Sequence, residues 1–186
     1  MTVRLLGTWC VAVVFLLSAC SSKTKVESDL NVKGAPDWVN KGTHLLNDKN
    51  GRLFHGVGSA PNMGDISLQS STADERARAE VARMLSSYLK VGSKDYSVSA
   101  SRAGEMANEL SVSRDIENLT RINLAGARII GRWTDKRTGL IWSIAELDIN
   151  RMKETMRQAE EVTPALRTFL ANESESIFDQ MLGDKK

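Results

Sequence analysis

Cysteine is nearly missing from this chain, with Cys10 and Cys20 the only two in 186 residues. Cys10 lies inside the apolar run Leu5–Leu17, which reads as a removable leader, so the processed chain keeps Cys20 alone. That excludes a disulfide within one processed chain and any cysteine-rich metal centre. Histidine is as scarce, with His44 and His55 alone. No serine stands in a G-x-S-x-G elbow, and no carboxylates carry the spacing of an EF-hand loop or a zinc site. The expected catalytic, cofactor and metal sets are therefore empty. Excess charge of one sign is also lacking: the formal net charge is +2, without the basic footprint of a nucleic-acid binder. Long apolar runs stop at Leu5–Leu17, shorter than the roughly 20 residues of a comfortable bilayer span.

Gly56-Val57-Gly58 has the start of a dinucleotide fingerprint, but Pro61 stands where its third glycine belongs. Close backbone packing or a bend is the expected role of these glycines. His55 falls in the same stretch and is expected to be a structural histidine.

What is present begins with an ordered N-terminus: Arg4, the apolar run, then small residues before Cys20. Charge, apolar core and small residues in that order are the pattern of a secretory signal. Leu17-Ser18-Ala19-Cys20 resembles the bacterial lipobox. The resemblance implies thioether lipidation of Cys20, cleavage before it, and acylation of the freed amine with a chain such as palmitate. Several acyl chains hold a protein on a bilayer stably where one is marginal. Ser21-Ser22 follow, with no Asp after the cysteine, which in such lipoproteins implies export to the outer membrane; the folded part is expected to face the periplasm. The expected division is a signal peptide over 1–19, an acylated flexible tether over 20–34, a folded domain over 35–162 and a C-terminal helical extension over 163–186.

Within the folded part, Pro36 sets an extended entry and Lys41–Gly51 reads as loop with a turn at Asn50-Gly51. Arg52–Gly58 alternates as a strand with Leu53, His55 and Val57 on one face. Thr72-Ala73-Asp74-Glu75 has capping-box spacing. The helix it opens carries Ala77, Val81, Leu85, Tyr88 and Leu89 on one stripe and ends or bends near Gly92. Val91–Ala103 alternates weakly as a second strand, and Glu105–Leu124 returns to a helical pattern. Ala127–Asp148 is the clearest hairpin, with its turn at Asp135–Gly139. Helices are then predicted over Asn150–Val162 and from Pro164 to Met181. The fold class is α+β: a small, mainly antiparallel sheet with an amphipathic helix packed on one face, plus the C-terminal helical extension.

In order, these segments resemble the LPP-twenty family of small bacterial outer-membrane lipoproteins. The landmarks are Pro36-Asp37-Trp38-Val39, Phe54-His55-Gly56-Val57-Gly58-Ser59-Ala60, the Ala- and Arg-rich stretch Ala73–Leu89, Leu124–Trp133, and Thr138–Asp148. Trp142 stands where that family more often has tyrosine, and the helix after Pro164 lies beyond the shared region. The family includes the flagellar outer-membrane lipoprotein P group. The resemblance implies a small α+β module without a catalytic site and a role in flagellar or envelope assembly.

Trp38, Trp133 and Trp142 are the processed chain's tryptophans. A small sheet's core is their expected place; an exposed one would be a partner contact, as tryptophan is enriched at binding hot spots. The hairpin pair shares a face in one register and not in another. Arg128 and Arg132 alternate with Ile129 and Ile130 and are expected on a wet face. Trp133, Trp142, Arg128 and Arg132 are thus the candidate partner contacts. The C-terminal helix is expected to fold back on its own domain, with homo-oligomerisation as the other use. The expected function is a non-enzymatic interaction module anchored to the outer membrane, with envelope or flagellar proteins as partners. Two alternatives are a lipoprotein regulator of a peptidoglycan synthase and a ligand-binding or hydrolytic periplasmic protein. Against the regulator stands the tether Ser21–Lys33, which spans at most about 45 Å when extended.

Overall fold

The structure is a computed structural model that describes residues 30–48, 51–104 and 108–183. The leader, Cys20 and most of the expected tether lie outside the described residues, as does Asn50 of the expected turn. The chain is α+β, as its periodicities predict. The elements run α1 (Asp37–Lys41), β1 (His44–Asp48), β2 (Gly51–Ala60), α2 (Ile66–Arg102), α3 (Glu109–Leu124), β3 (Arg128–Thr134), β4 (Ile141–Asp148), α4 (Ile149–Gln158) and α5 (Pro164–Leu182). The four strands form one antiparallel sheet in the order β1-β2-β4-β3.

One face of that sheet meets the helices. Phe54, Ala145 and Leu147 share a single core with Val81, Leu85, Tyr88 and Leu89 of α2, Leu119 of α3, Met152 and Met156 of α4, and Leu166, Leu170 and Phe178 of α5. The predicted stripe of α2 is therefore its core face. Gly56 and Gly58 let α2 lie directly on β2. A Cβ at Gly56 would stand 2.2 Å from the Ala77 carbonyl, and one at Gly58 would stand 2.4 Å from the Ala77 nitrogen. These glycines serve backbone approach, as expected, because no side chain fits there.

Three local predictions need correction. The segment read as loop contains β1, which pairs His44↔His55 through Asp48↔Gly51. Its sequence, His-Leu-Leu-Asn-Asp, has no β-branched residue to announce a strand; the hairpin partner supplies its ladder. Second, α2 starts earlier than the capping box implies. Asp65 is the N-cap, accepting from the nitrogens of Ser67 and Leu68 at 2.7 and 3.1 Å. Thr72 sits inside the helix and donates its hydroxyl to the Leu68 carbonyl, 2.8 Å away. Third, no strand forms over Val91–Ala103, because α2 runs straight through Gly92 for 37 residues. Gly92 is a contact and not a terminator: a Cβ there would stand 2.5 Å from Leu170 Cδ2 and 2.8 Å from Ile177 Cδ1 of α5.

The C-terminal helix α5 folds back into the core. Phe178 meets Phe54 edge-to-face at 5.4 Å, and the Tyr88 hydroxyl donates to the Ser174 carbonyl at 2.9 Å. Burial pushes the Tyr88 phenol well above its ordinary range, with the nearby Glu175 adding to the effect. Arg52 of β2 pairs with Asp179 at 2.8 Å and Glu175 at 2.7 Å. At the other terminus Val32, expected in the tether, is tied to α1: its nitrogen donates to Asn40 Oδ1 at 2.9 Å. No helix among the described residues is long and apolar enough to cross a membrane.

Candidate functional site

The second face of the sheet contributes nothing to the helix-packed core, and most of the sequence-singled residues gather there. Cross-strand partners point to the same side of an antiparallel sheet, so the register defines three rows on this face. The first runs across all four strands as His44↔His55, His55↔Glu146 and Glu146↔Arg128. The second is Val57↔Ile144↔Gly131, and the third is Ser59↔Trp142↔Trp133. Successive rows lie two residues apart along each strand, about 7 Å. The face thus passes from polar through apolar to aromatic.

The polar row is knit together by its own side chains. His55, 6% exposed, donates from Nε2 to Glu146 Oε2 at 3.0 Å. The other carboxylate oxygen, Oε1, lies 3.5 Å from Arg128 Nη2. The His44 ring stacks on that of His55 with centroids 4.9 Å apart, and its Nδ1 donates to the Gly42 carbonyl at 2.8 Å. These contacts hold β1, β2, β4 and β3 in register at one level, which is a structural role for His55. Among the described residues, no group of three or more His, Cys, Asp or Glu is arranged to hold a metal ion.

The register places the hairpin tryptophans on one face. Trp133 and Trp142 are direct cross-strand partners and both are half-buried. Neither belongs to the main core, where a small sheet's tryptophans were expected. Trp142 also borders a cavity of about 390 Å³ along the part of β2 that β1 leaves uncovered. Arg76 of α2 lines the same cavity and donates to the Ser59 carbonyl at 2.6 Å.

The two arginines part company. A β-bulge between Ile129 and Gly131 inserts Ile130 as an extra residue opposite β4, and an inserted residue reverses which side chains face which way beyond it. Arg128 stays on the open face beside Glu146, whereas Arg132 turns toward α2. There its Nε donates to Asp74 Oδ1 at 2.8 Å and its Nη2 donates to Oδ2, while Ser143 Oγ donates to Oδ1 at 2.7 Å. The Arg132 guanidinium holds the Asp74 carboxyl below its ordinary range, with Ser143 helping and burial opposing. The expectation that both arginines line one wet face is therefore corrected: Arg132 ties the sheet to α2. The bulge leaves Ile130 49% exposed.

Sequence reading missed Glu146 and His44 as members of this face. Glu146 carried a signal, as a lone carboxylate between Ala145 and Leu147 in an otherwise apolar strand. His44 carried none, because its strand was not legible. No protein-family model matches the chain, and no curated protein matches it.

Proposed function

We propose that this chain is an outer-membrane lipoprotein, held by acyl chains on Cys20 with its folded part facing the periplasm. Its domain acts without catalysis as an interaction module for other envelope proteins, in a flagellar or surface-appendage assembly. The observation that carries the anchor is Leu17-Ser18-Ala19-Cys20 behind a charged and then apolar leader, with Ser21-Ser22 after it. Docking is supported by the second sheet face, which carries the half-buried Trp133–Trp142 pair at one end and Arg128 two rows away at the other, with Ile130 exposed at the bulge between them in β3. Paired half-buried aromatics have the chemistry of a binding hot spot. The order of short motifs similar to the LPP-twenty family is the reason for the appendage setting.

Mass spectrometry of the native protein, with fractionation of the cells, tests the anchor. The expected result is a chain that begins at Cys20, carries the added mass of its acyl groups and sediments with the outer membrane. An unprocessed, unmodified start in a soluble cytosolic fraction would sink the reading. Deletion separates the settings: lost motility with normal wall growth fits the appendage role, whereas β-lactam sensitivity with intact motility points to a peptidoglycan synthase as partner.

A further inference from the structure

Beyond the sheet, α2 continues alongside α3, and the two helices leave a groove on one side. They run antiparallel: Ser86 Oγ stands 3.5 Å from Thr120 Oγ1 at one end, while Val98 and Glu109 line the other. The groove comprises two adjoining hollows of about 620 and 390 Å³ that share Lys90, Ser113 and Ile116. The other side of the helix pair is closed by α5 and the loop before it. Gly92 receives Leu170 and Ile177, Tyr96 meets Phe169 at 5.6 Å, and Asp115 accepts from the Thr163 nitrogen at 3.0 Å.

The floor of the groove is apolar, from Val112 and Ile116 to Leu124, with Val98 at its mouth 50% exposed. Its two walls carry opposite charge between Lys90 and Lys94 on α2 and Glu109 and Glu117 on α3. None of these four makes an ion pair among the described residues. Arg121, 3.6 Å from Glu161, adds a cation at the far end of the α3 wall.

We propose that this groove is the docking site for a second copy of the same chain, related by a twofold axis parallel to α2 and α3. Each copy then lays its basic α2 wall over the acidic α3 wall of the other, closing a four-helix bundle whose neighbours are all antiparallel. A twofold interface must be self-complementary, and a surface whose Lys90 and Lys94 stand across an apolar seam from Glu109 and Glu117 has that property for this axis. An axis across the helices would instead set lysine over lysine and glutamate over glutamate. Because rotation about the parallel axis preserves height, Lys90 of one copy comes level with Glu117 of the other, and this pair forms twice. Ser93, Ser97 and Ser113 are small enough for close helix approach, and the lysine stems add apolar cover at the rim. The inference is independent of the lipid anchor.

Sedimentation equilibrium of the purified intact chain in non-ionic detergent tests it, with far-UV circular dichroism to verify folding. The expected result is a reversible dimer. Lys90→Glu and Glu117→Lys should each weaken it about tenfold, since both symmetric pairs become repulsive. The double variant Lys90→Glu with Glu117→Lys should restore association to within about threefold of the unaltered chain. A monomer at all concentrations, a monomer that retains a bound amphiphile, a larger assembly, or a dimer indifferent to the single reversals would each overturn the proposal. A double variant no better than the singles would do the same.

Discussion

At the scale of single residues, the energetics concentrate where α2 meets the sheet. Asp74 is buried and receives hydrogen bonds from Arg132 and Ser143, so its ionised form is favoured in the fold. Its folded-state pKa lies below the unfolded value, so this stabilisation is complete above roughly pH 4 and is lost as pH falls through the lowered folded value. Asp74→Asn should cost about 1–2 kcal/mol at neutral pH, the lower part of the range for hydrogen bonds to a charged group because Arg132 is half exposed. Urea titrations at several pH values should show that deficit narrowing as the solution is acidified below pH 4. A deficit that stays constant into strong acid would mean the carboxylate charge is not what matters. Gly56 sets a harder limit. A methyl there collides with the backbone of α2 at Ala77 and Val81, which a rotamer change cannot relieve. Gly56→Ala should destabilise the fold by about 3 kcal/mol or more, at or beyond the upper end for overpacking. Thermal melts of the variant would check this.

The elements show why the C-terminal helix belongs to the domain. Without α5, one side of Phe54, Tyr88 and Gly92 would face water, and the Arg52 guanidinium would lose both carboxylates that hold it. Phe178 is fully buried at that junction. Phe178→Ala should therefore cost about 3–5 kcal/mol, measurable as a lowered urea midpoint with an unchanged slope. A cost below about 1 kcal/mol would show α5 to be a detachable appendage. At the sheet's outer edge, β3 is shielded from unplanned strand pairing by its bulge and by arginines on both of its faces, the usual devices of an edge strand. The bulge that protects the edge is also what separates Arg128 from Arg132.

For the whole molecule, the arrangement divides the labour between two surfaces. The helix side holds the core, while the opposite sheet face offers a polar row, an apolar row and a tryptophan pair in sequence. In the proposed function that face meets the partner. The combined Trp133→Ala and Trp142→Ala variant should then lose most capture of envelope proteins from detergent-solubilised membranes, at least tenfold if the pair is a hot spot. Arg132→Ala should reduce stability yet leave capture by the folded fraction unchanged, because Arg132 faces α2. Equal loss of capture in both variants, at matched folded fraction, would argue against this face.

By itself the amino-acid sequence determined whatever depends on local periodicity and turn chemistry. The α2 stripe, the hairpin with its Asp135–Gly139 turn, the last two helices and the α+β class were all legible there, since 3.6- and 2-residue repeats are written along the chain. The reason for Gly56 and Gly58 was legible as close packing, though not its partner. Tertiary structure alone decided the rest. β1 exists because β2 offers it a ladder, α2 continues past Gly92 because α5 needs the space, and one inserted residue at Ile130 sends two similar arginines to opposite faces. In each case the deciding atoms lie far away in sequence or across a strand, where no local repeat can record them.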